Sequence, residues 1–515
     1  MADTVREVER KYDAADAGGL PDLSGVPGVA RTVAGGVVTL DATYYDTPDR
    51  RLAADGITLR RRTGGDDAGW HLKLPAGPDT RDEIRAPLAD ALPRRLAALI
   101  HSRTRGARVV PLVRLVSERE VHRLLDAEGG PLAEGSVDRV TAYRLADGDG
   151  ERAPARWTEI EVELAEGRDP RLLDAIEKKL RKAGVRRAAA SSKLARALHE
   201  TATEEERKRT AEAPRPPRPA EPTAGDVVLD YARGQLAALV ALDPAVRLDA
   251  PDSVHRMRVA TRRLRSLFRS YAKVLDRGVT DPLGEELKWL AAELGVDRDH
   301  EVLTERLSRR LNEVPPALRV GPVRNRLHTW SHAHRGGSRR QVIALLDGER
   351  YLALLNALDA LLADPPLRPA AAKSPRKVLR KAVLRDFARL ASRVETALSA
   401  PAGPERDEAA HAARKAAKRT RYAAEAARPA LGKPAKRFAQ RMTSVQDALG
   451  DHQDSVVARQ ALTELSAQAH AAGESTFTYG LVYGHEEALA ADRERELPEL
   501  WAEVSRKRHR AALGA

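Results

Sequence analysis

What most constrains this chain is a change of hydrophobic period partway along it, across the proline-rich run EEERKRTAEAPRPPRPAEPTAG that begins at Glu204. Upstream, short segments of Val, Ile, Thr, Leu and Tyr alternate with polar residues between turn signals such as Gly64-Gly65 and Gly129-Gly130. Downstream, Ala, Leu and Arg recur with the period of 3.6 that marks helices. The run itself cannot pair into a sheet and stays extended. At 515 residues the chain is also longer than one hydrophobic core usually supports. The expected organisation is an N-terminal domain over 1–203, a linker over 204–224 and a helical domain over 225–510.

The alternating segments predict strands over 4–12, 38–45, 56–63, 69–74, 81–86, 112–126, 131–145 and 155–165, with helices near 89–100, 169–182 and 193–209. Eight strands can close into a barrel. The helical half carries a diverged internal repeat: His255, Arg258, Arg262 and Arg265 recur in order and spacing as His411, Arg414, Lys418 and Arg421. Some way beyond each comes a second shared element, LGVDRDHEV at 294–302 and LGDHQDSVV at 449–457. The fold class expected is α+β, an eight-stranded antiparallel β-barrel forming a tunnel, followed by an all-α domain of two similar helical bundles.

Charge narrows the partner. The formal net charge of +13 favours a polyanion, although arginine is so common here that charge alone does not name one. The chain has no cysteine, which excludes disulfides, thiolate nucleophiles and sulfur-based zinc sites, so any metal must sit on oxygen or imidazole. No apolar run reaches the roughly 18 residues of a membrane span. The N-terminus meets Asp3, Arg6, Glu7 and Glu9 where a signal peptide needs apolar residues, so a cytoplasmic protein is expected, with no membrane partner.

In REVERKY, Glu7, Glu9 and Lys11 occupy alternate positions, so on a strand they emerge on one face. Arg60 and Arg62 do so in LRRR, Arg81, Glu83 and Arg85 in TRDEIRAPL, and Glu159, Glu161 and Glu163 in TEIEVEL. For any one strand this alternation more often marks a solvated face. Taken together, acidic residues cluster on the first and last strands and basic residues on the middle ones, which a solvated surface would mix. Grouped carboxylates suit Mg²⁺ or Mn²⁺, and Arg and Lys suit phosphate oxygens.

With these residues on the page, the N-terminal E-x-E-x-K, YYDTPDRRLAADGITLRRR, WHLKLP, TRDEIRAPL, SVDRV and TEIEVEL together resemble the CYTH or triphosphate tunnel metalloenzyme family over about the first 200 residues. The resemblance implies a tunnel that binds a triphosphate with one or two divalent metals. By motif position it implies Glu7, Glu9, Glu159 and Glu161 as metal ligands, and Lys11, Arg60, Arg62, Lys73, Arg119, Asp138 and Lys193 as catalytic residues. Of these, Asp138 binds metal or orients water and the others hold phosphates. Glu83, Arg85, Arg114 and Glu163 are further candidates for the lumen. Substrates in the family include inorganic triphosphate, thiamine triphosphate and ATP; inorganic triphosphate is favoured here because no aromatic pair recommends a thiamine pocket and because of the domain that follows.

In the helical half, His255, Arg258, Arg262, Arg265 and Arg269 fall within about 80° of arc on a helix. A charged stripe is usually a solvent face. Such a face normally interleaves carboxylates, yet VHRMRVATRRLRSLFRSY contains none, which suggests a bound polyanion. These residues with LGVDRDHEV and VQDALGDHQD resemble the CHAD domain over roughly 225–510. That resemblance implies binding of inorganic polyphosphate by His255, Arg258, Arg262, Arg265, His411, Arg414, Lys418 and Arg421, with Arg263 and Lys415 at the margin of the stripe. Asp299 and Asp454 read as partners that orient basic side chains.

The expected protein is therefore a metal-dependent inorganic triphosphatase that binds inorganic polyphosphate and associates with polyphosphate granules. The alternative is a non-catalytic polyphosphate-binding or granule-targeting scaffold; a cyclase reading of the barrel stays open. Nucleic acid is disfavoured because aromatics are only 4% of residues, leaving little to stack on bases. His328, His332 and His334 form a histidine group with no acidic neighbour to complete a metal site.

Overall fold

The computed structural model describes residues 4–14, 19–145, 154–204, 221–334 and 338–514, apart from the side chains at 296–298, 334 and 338. Most of the expected linker, residues 205–220, and the end of the helix expected to reach 209 lie outside the described residues, as does the His334 side chain. The chain divides into two compact units, Met1–Arg215 and Pro216–Ala515.

The first unit is a closed antiparallel barrel. Its strands are β1 (Thr4–Asp13), β2 (Arg31–Asp46), β3 (Thr58–Thr63), β4 (Gly69–Gly77), β5 (Thr80–Ala86), β6 (Val110–Leu125), β7 (Pro131–Arg144) and β8 (Ala155–Leu164). They run in the order β5-β4-β3-β2-β6-β7-β8-β1, and β1 closes the ring on β5. Closure depends on β1 being shared lengthwise: Thr4 to Val8 pair with β5, and Glu9 to Asp13 with β8. A two-residue β9 (Arg186–Arg187) adds to the end of β1. The second strand begins at 31 rather than 38; its first residues pair with β6 across a register shift at Ala34/Gly36 and are largely exposed, so they lack the apolar alternation that marks a strand in sequence.

Among the described residues four helices accompany the barrel: α1 (Arg51–Ala54), α2 (Arg94–Thr104), α3 (Arg171–Lys182) and α4 (Lys193–Glu200). Tyr12, Val137, Ile160 and Val162 face outward and pack against Leu173, Ile176 and Leu180 of α3, which leaves the opposite, charged parity of the same strands to the lumen. One end of the lumen is apolar instead. There Ala42, Val113, Leu115, Val140, Ala142 and Trp157 pack on Leu194, Ala197 and Leu198, so α4 plugs that end.

The second unit is helical: α5 (Ala224–Arg247), α6 (Ser253–Ser270), α7 (Arg277–Glu293), α8 (Val296–Glu313), α9 (Val323–His334), α10 (Ser338–Asp347), α11 (Glu349–Ala363), α12 (Pro375–Ser399), α13 (Pro404–Ala471), α14 (Phe477–Val504) and α15 (Lys507–Ala511). A capping box between Thr223 and Asp226 starts α5. Gly432, at φ 62°, bends α13 between Pro429 and Pro434. Two apolar clusters result. The larger joins α5–α7 to α11–α13, and the smaller joins Leu307, Leu327 and Trp330 to Leu462, Leu465 and Tyr479. Both sequence halves contribute to each cluster. No helix is long and apolar enough to cross a membrane among the described residues.

Candidate functional site

The barrel lumen encloses a cavity of about 460 Å³. Of the candidates, Glu7, Glu9, Lys11, Arg60, Arg62, Lys73, Arg119, Glu161 and Lys193 line it, together with Glu83, Arg85 and Glu163. Asp138 and Glu159 lie just behind it, buried beside Lys193. The register accounts for this grouping: Arg119 is opposite Asp138, Asp138 opposite Glu159, and Lys11 opposite Glu161 across three successive strand pairs. Arg114 does not join them. It sits on the outer face, bonded to Asp41, because it stands an odd number of residues from Arg119 and side-chain period two sends it outward. The same parity rule, applied onward from Arg119 and Asp138, reaches Arg123 and Glu134, which line the cavity and were missed.

The acids form two groups. Asp138, Glu159 and Glu161 bring carboxylate oxygens within 4.8 Å of one another, all three side chains buried. Lys193 stands among them, its ammonium 2.8 Å from Asp138, 2.7 Å from Glu159 and 2.6 Å from Glu161. It gets there because it opens α4, whose first turn is capped by Ser192 accepting from the Ala195 amide. Arg119 donates to Asp138 through Nε and Nη2, each at 2.7 Å, and through Nη2 to Glu161 at 2.7 Å. Burial opposes ionisation of Glu161, but Lys11, Lys193 and Arg119 outweigh it and hold the carboxyl well below its ordinary range. Glu9 likewise is held at about 2, Lys11 and Lys73 prevailing over burial.

Glu7 belongs to the second group. Its carboxylate accepts from Lys73 at 2.5 Å, and burial, with Glu83 and Glu163 adding to it against Lys73, pushes it up to about 7. Burial also raises Glu163. His71, buried on β4, bonds Glu83 at 3.0 Å through Nδ1, and burial lowers the imidazole to about 4. Facing these acids are Arg60, Arg62 and Arg119. Burial, then the charges of Arg60 and Arg119, brings Arg62 down to about 9. The Nε atoms of Arg60 and Arg62 are buried without a hydrogen-bond partner among the described residues. One cavity therefore holds Glu7 and Glu163 above the ordinary carboxylate range and Arg62, although paired with Asp67, below the ordinary guanidinium range, while the acids they face raise Arg60 and Arg119. The all-oxygen donor set and the raised Glu7 fit a hard divalent cation.

In the helical unit the two stripes converge. Arg258 on α6 donates to Asp299 on α8 at 2.9 Å through both terminal nitrogens, and Arg414 on α13 reaches Asp454 at 3.5 Å. The glycine of each shared LG element makes room: a Cβ at Gly295 would stand 2.7 Å from the Arg258 guanidinium, and one at Gly450 3.2 Å from that of Arg414. Burial, then Arg414, Arg262 and Arg421 against Asp454, brings Lys418 down to about 8. Arg262 is lowered too, mainly by burial and also by Arg258 and Arg414. His255 is exposed and His411 half-buried at the heads of their stripes. Arg263 pairs with Glu425 at 3.0 Å and Lys415 is exposed. Arg265 does not reach the Lys418 group and lines a separate cavity.

His328 and His332 meet edge to face with ring centroids 4.3 Å apart, and no carboxylate joins them in a metal-sized group among the described residues. Asp407, His452 and Glu494 do form such a group, but Arg406 and Arg459 already pair with its carboxylates.

Comparison with known proteins accords with both halves. A CYTH domain is matched over residues 5–198 and a CHAD domain over residues 230–463. An uncharacterised protein of Mycobacterium tuberculosis is 41% identical over 503 residues, covering 95% of this chain and 94% of that one. PptA from Streptomyces chartreusis is 21% identical, the match covering 55% of this chain and 100% of that chain with a TM-score of 0.47. The CHAD domain from the plant Ricinus communis is 24% identical, covering 56% and 93%, with a TM-score of 0.44. The chain belongs to the proteins in which a CYTH domain is followed by a CHAD domain.

Proposed function

We propose that the CYTH domain hydrolyses a triphosphate, inorganic triphosphate being favoured, with Mg²⁺ or Mn²⁺, and that the CHAD domain binds inorganic polyphosphate. The observation that carries the first half is the opposed imbalance within one cavity: Arg62 is held down at about 9 while Glu7 is pushed up to about 7. A metal–triphosphate complex relieves both at once. Arg60, Arg62, Lys73 and Arg119 would grip phosphate oxygens, and Lys11 and Lys193 would keep Glu9, Glu161 and Asp138 ionised and in place. Glu7, Glu9, Glu159 and Glu161, with Asp138, are the residues to hold the metal, which would neutralise phosphate charge and polarise the phosphoryl group. Phosphoryl transfer asks for positioning and charge stabilisation more than covalent chemistry, and buried side chains provide both. Tyr44 is the sole aromatic side chain lining the cavity among the described residues, which gives a base or thiazole ring little to stack on.

For the CHAD domain the supporting observation is Lys418, brought down to about 8 chiefly by burial and by Arg414. Cations so crowded are stabilised by a polyanion. The protein would then act in the cytoplasm, associated with polyphosphate granules.

The test is phosphate release from inorganic triphosphate, thiamine triphosphate and ATP with Mg²⁺ or Mn²⁺, beside a Glu7→Ala, Glu9→Ala double variant. Metal-dependent release that favours inorganic triphosphate and vanishes in the variant is expected. No release with polyphosphate still bound would replace the enzyme by a scaffold, and a cyclic product from ATP would replace it by a cyclase.

A further inference from the structure

The turn between β3 and β4, Gly64-Gly65-Asp66-Asp67-Ala68, is fitted closely to the barrel by the glycines at its two ends. Gly64 has φ 80°, and a Cβ there would stand 2.2 Å from the Thr39 carbonyl oxygen; one at Gly69, the first residue of β4, would stand 2.5 Å from that of Ala86. The Asp67 carbonyl accepts from Nε2 of the buried His71 at 2.8 Å. The main chain of the turn is thereby held against β2, β4 and β5, and the Asp67 side chain lines the tunnel cavity. There its carboxylate pairs with Nη2 of Arg62. Arg60 and Arg119 find their anions on the strands: Arg60 lies 3.6 Å from Glu83, and Arg119 2.7 Å from both Asp138 and Glu161. Arg62, with a side chain only 5% exposed, finds its anion on a turn, and that carboxylate is 31% exposed.

We infer that the Asp67 carboxylate is an internal competitor for Arg62: it holds the place of a phosphate oxygen until a triphosphate displaces it, and by returning it expels the phosphate product. This rests on the triphosphatase reading above. Displacement needs only rotation about the Asp67 side-chain bonds towards the solvent that already reaches it, while the main chain of the turn stays where His71 and the glycines hold it. The substrate prevails because one carboxylate leaves Arg62 incompletely offset: burial, Arg60 and Arg119 keep it at about 9 even beside Asp67. A triphosphate brings several negative charges and further contacts with Arg60, Lys73 and Arg119, which line the same cavity. Hydrolysis turns triphosphate and water into pyrophosphate and orthophosphate, each with fewer such contacts, so their contest with Asp67 is closer. An interaction lost equally from bound substrate and transition state raises KM and leaves kcat alone. Asp67 accordingly limits how tightly the tunnel holds phosphate ligands and keeps product from accumulating on it.

The experiment compares wild type, Asp67→Asn and Asp66→Asn in the full chain. Asp66 is exposed in the same turn and lines no part of the cavity, so its change removes the same charge without touching Arg62. Pyrophosphate is titrated calorimetrically without divalent metal, and phosphate release from inorganic triphosphate is followed with Mg²⁺, with and without added pyrophosphate. Pyrophosphate held by the helical unit is common to all variants. Asp67→Asn should bind pyrophosphate about tenfold more tightly, about 1.4 kcal/mol. It should lower the KM for triphosphate and the inhibition constant of pyrophosphate by similar factors without raising kcat. Asp67→Ala, which leaves Arg62 no side-chain oxygen at that position, should gain at least as much, and Asp66→Asn should match wild type within about twofold. In an Arg62→Gln background the Asp67 substitution should have no effect, since the competition is for that guanidinium. Affinity in Asp67→Asn and Asp67→Ala equal to or weaker than wild type, an equal gain in Asp66→Asn, or a gain that persists without Arg62 overturns the competitor. Wild type that releases no phosphate from triphosphate overturns the underlying reading instead, and the pyrophosphate titration then decides on Asp67 by itself.

Discussion

Polyphosphate binding should weaken as pH rises from 8 towards 10, and Lys418 should be the cause. Burial, with Arg414, Arg262 and Arg421 nearby and Asp454 opposing, brings its ammonium from 10.5 down to about 8 in the free protein. The difference between the two values corresponds to an upper bound of about 3 kcal/mol against the charged form. For a lysine depressed in the fold, that penalty is present in full below pH 8 and is relieved as pH rises to the unfolded value, so this group makes the free protein more stable between 8 and 10.5. A bound polyanion offsets the neighbouring arginines and restores the ammonium. Binding therefore takes up a proton above pH 8, and affinity should fall by up to about tenfold per pH unit, at most about 300-fold by 10.5. Titrations at pH 7, 8, 9 and 10 on wild type and Lys418→Arg provide the assay. Arginine stays charged throughout, so the variant should give a flat profile. A flat wild-type profile, or the same decline in the variant, would refute the reasoning.

Two further outcomes follow from the geometry. Because Glu7 is pushed up to about 7, mainly by burial, Mg²⁺ affinity should fall up to about tenfold per unit as pH drops below 7, and Glu7→Gln should remove that dependence; calorimetry against pH reads it directly. Gly295→Ala should disturb the Arg258–Asp299 pair more than Gly450→Ala disturbs Arg414–Asp454, since the added methyl stands 2.7 Å from one guanidinium and 3.2 Å from the other. About 1–3 kcal/mol of stability and a measurable loss of polyphosphate binding are expected for the first and less for the second, by thermal melts and titration; equal effects would remove the reason given for the glycine.

Much of the tunnel was legible because side-chain direction in a strand follows parity. Glu7, Glu9 and Lys11 share a face whatever surrounds them, and so do Glu159, Glu161 and Glu163. The two LG elements were legible as a repeat, but their use was not: that Gly295 and Gly450 leave room for Arg258 and Arg414 depends on a helix packed 36 to 37 residues away in sequence. Arg114 was misplaced because its segment carries polar residues at both parities, and register against β2 and β7 decides between them.

From local order alone came the division at the proline-rich run, strand and helix character on either side, the faces of β1, β3 and β8, and the two cationic stripes. Tertiary structure decided which charges meet. It gathered Asp138 with Glu159 and Glu161, set Glu7 apart beside Lys73, used α4 both to plug the lumen and to deliver Lys193, and drew both helical halves into each apolar cluster. It also parted Arg265 from the stripe to which its spacing assigns it and placed it with Arg385, Arg389 and Arg419. Periodicity fixes a side chain's direction about its own axis, whereas pKa shifts, ion pairs and cavities depend on distances between elements, which close only when barrel and bundle pack.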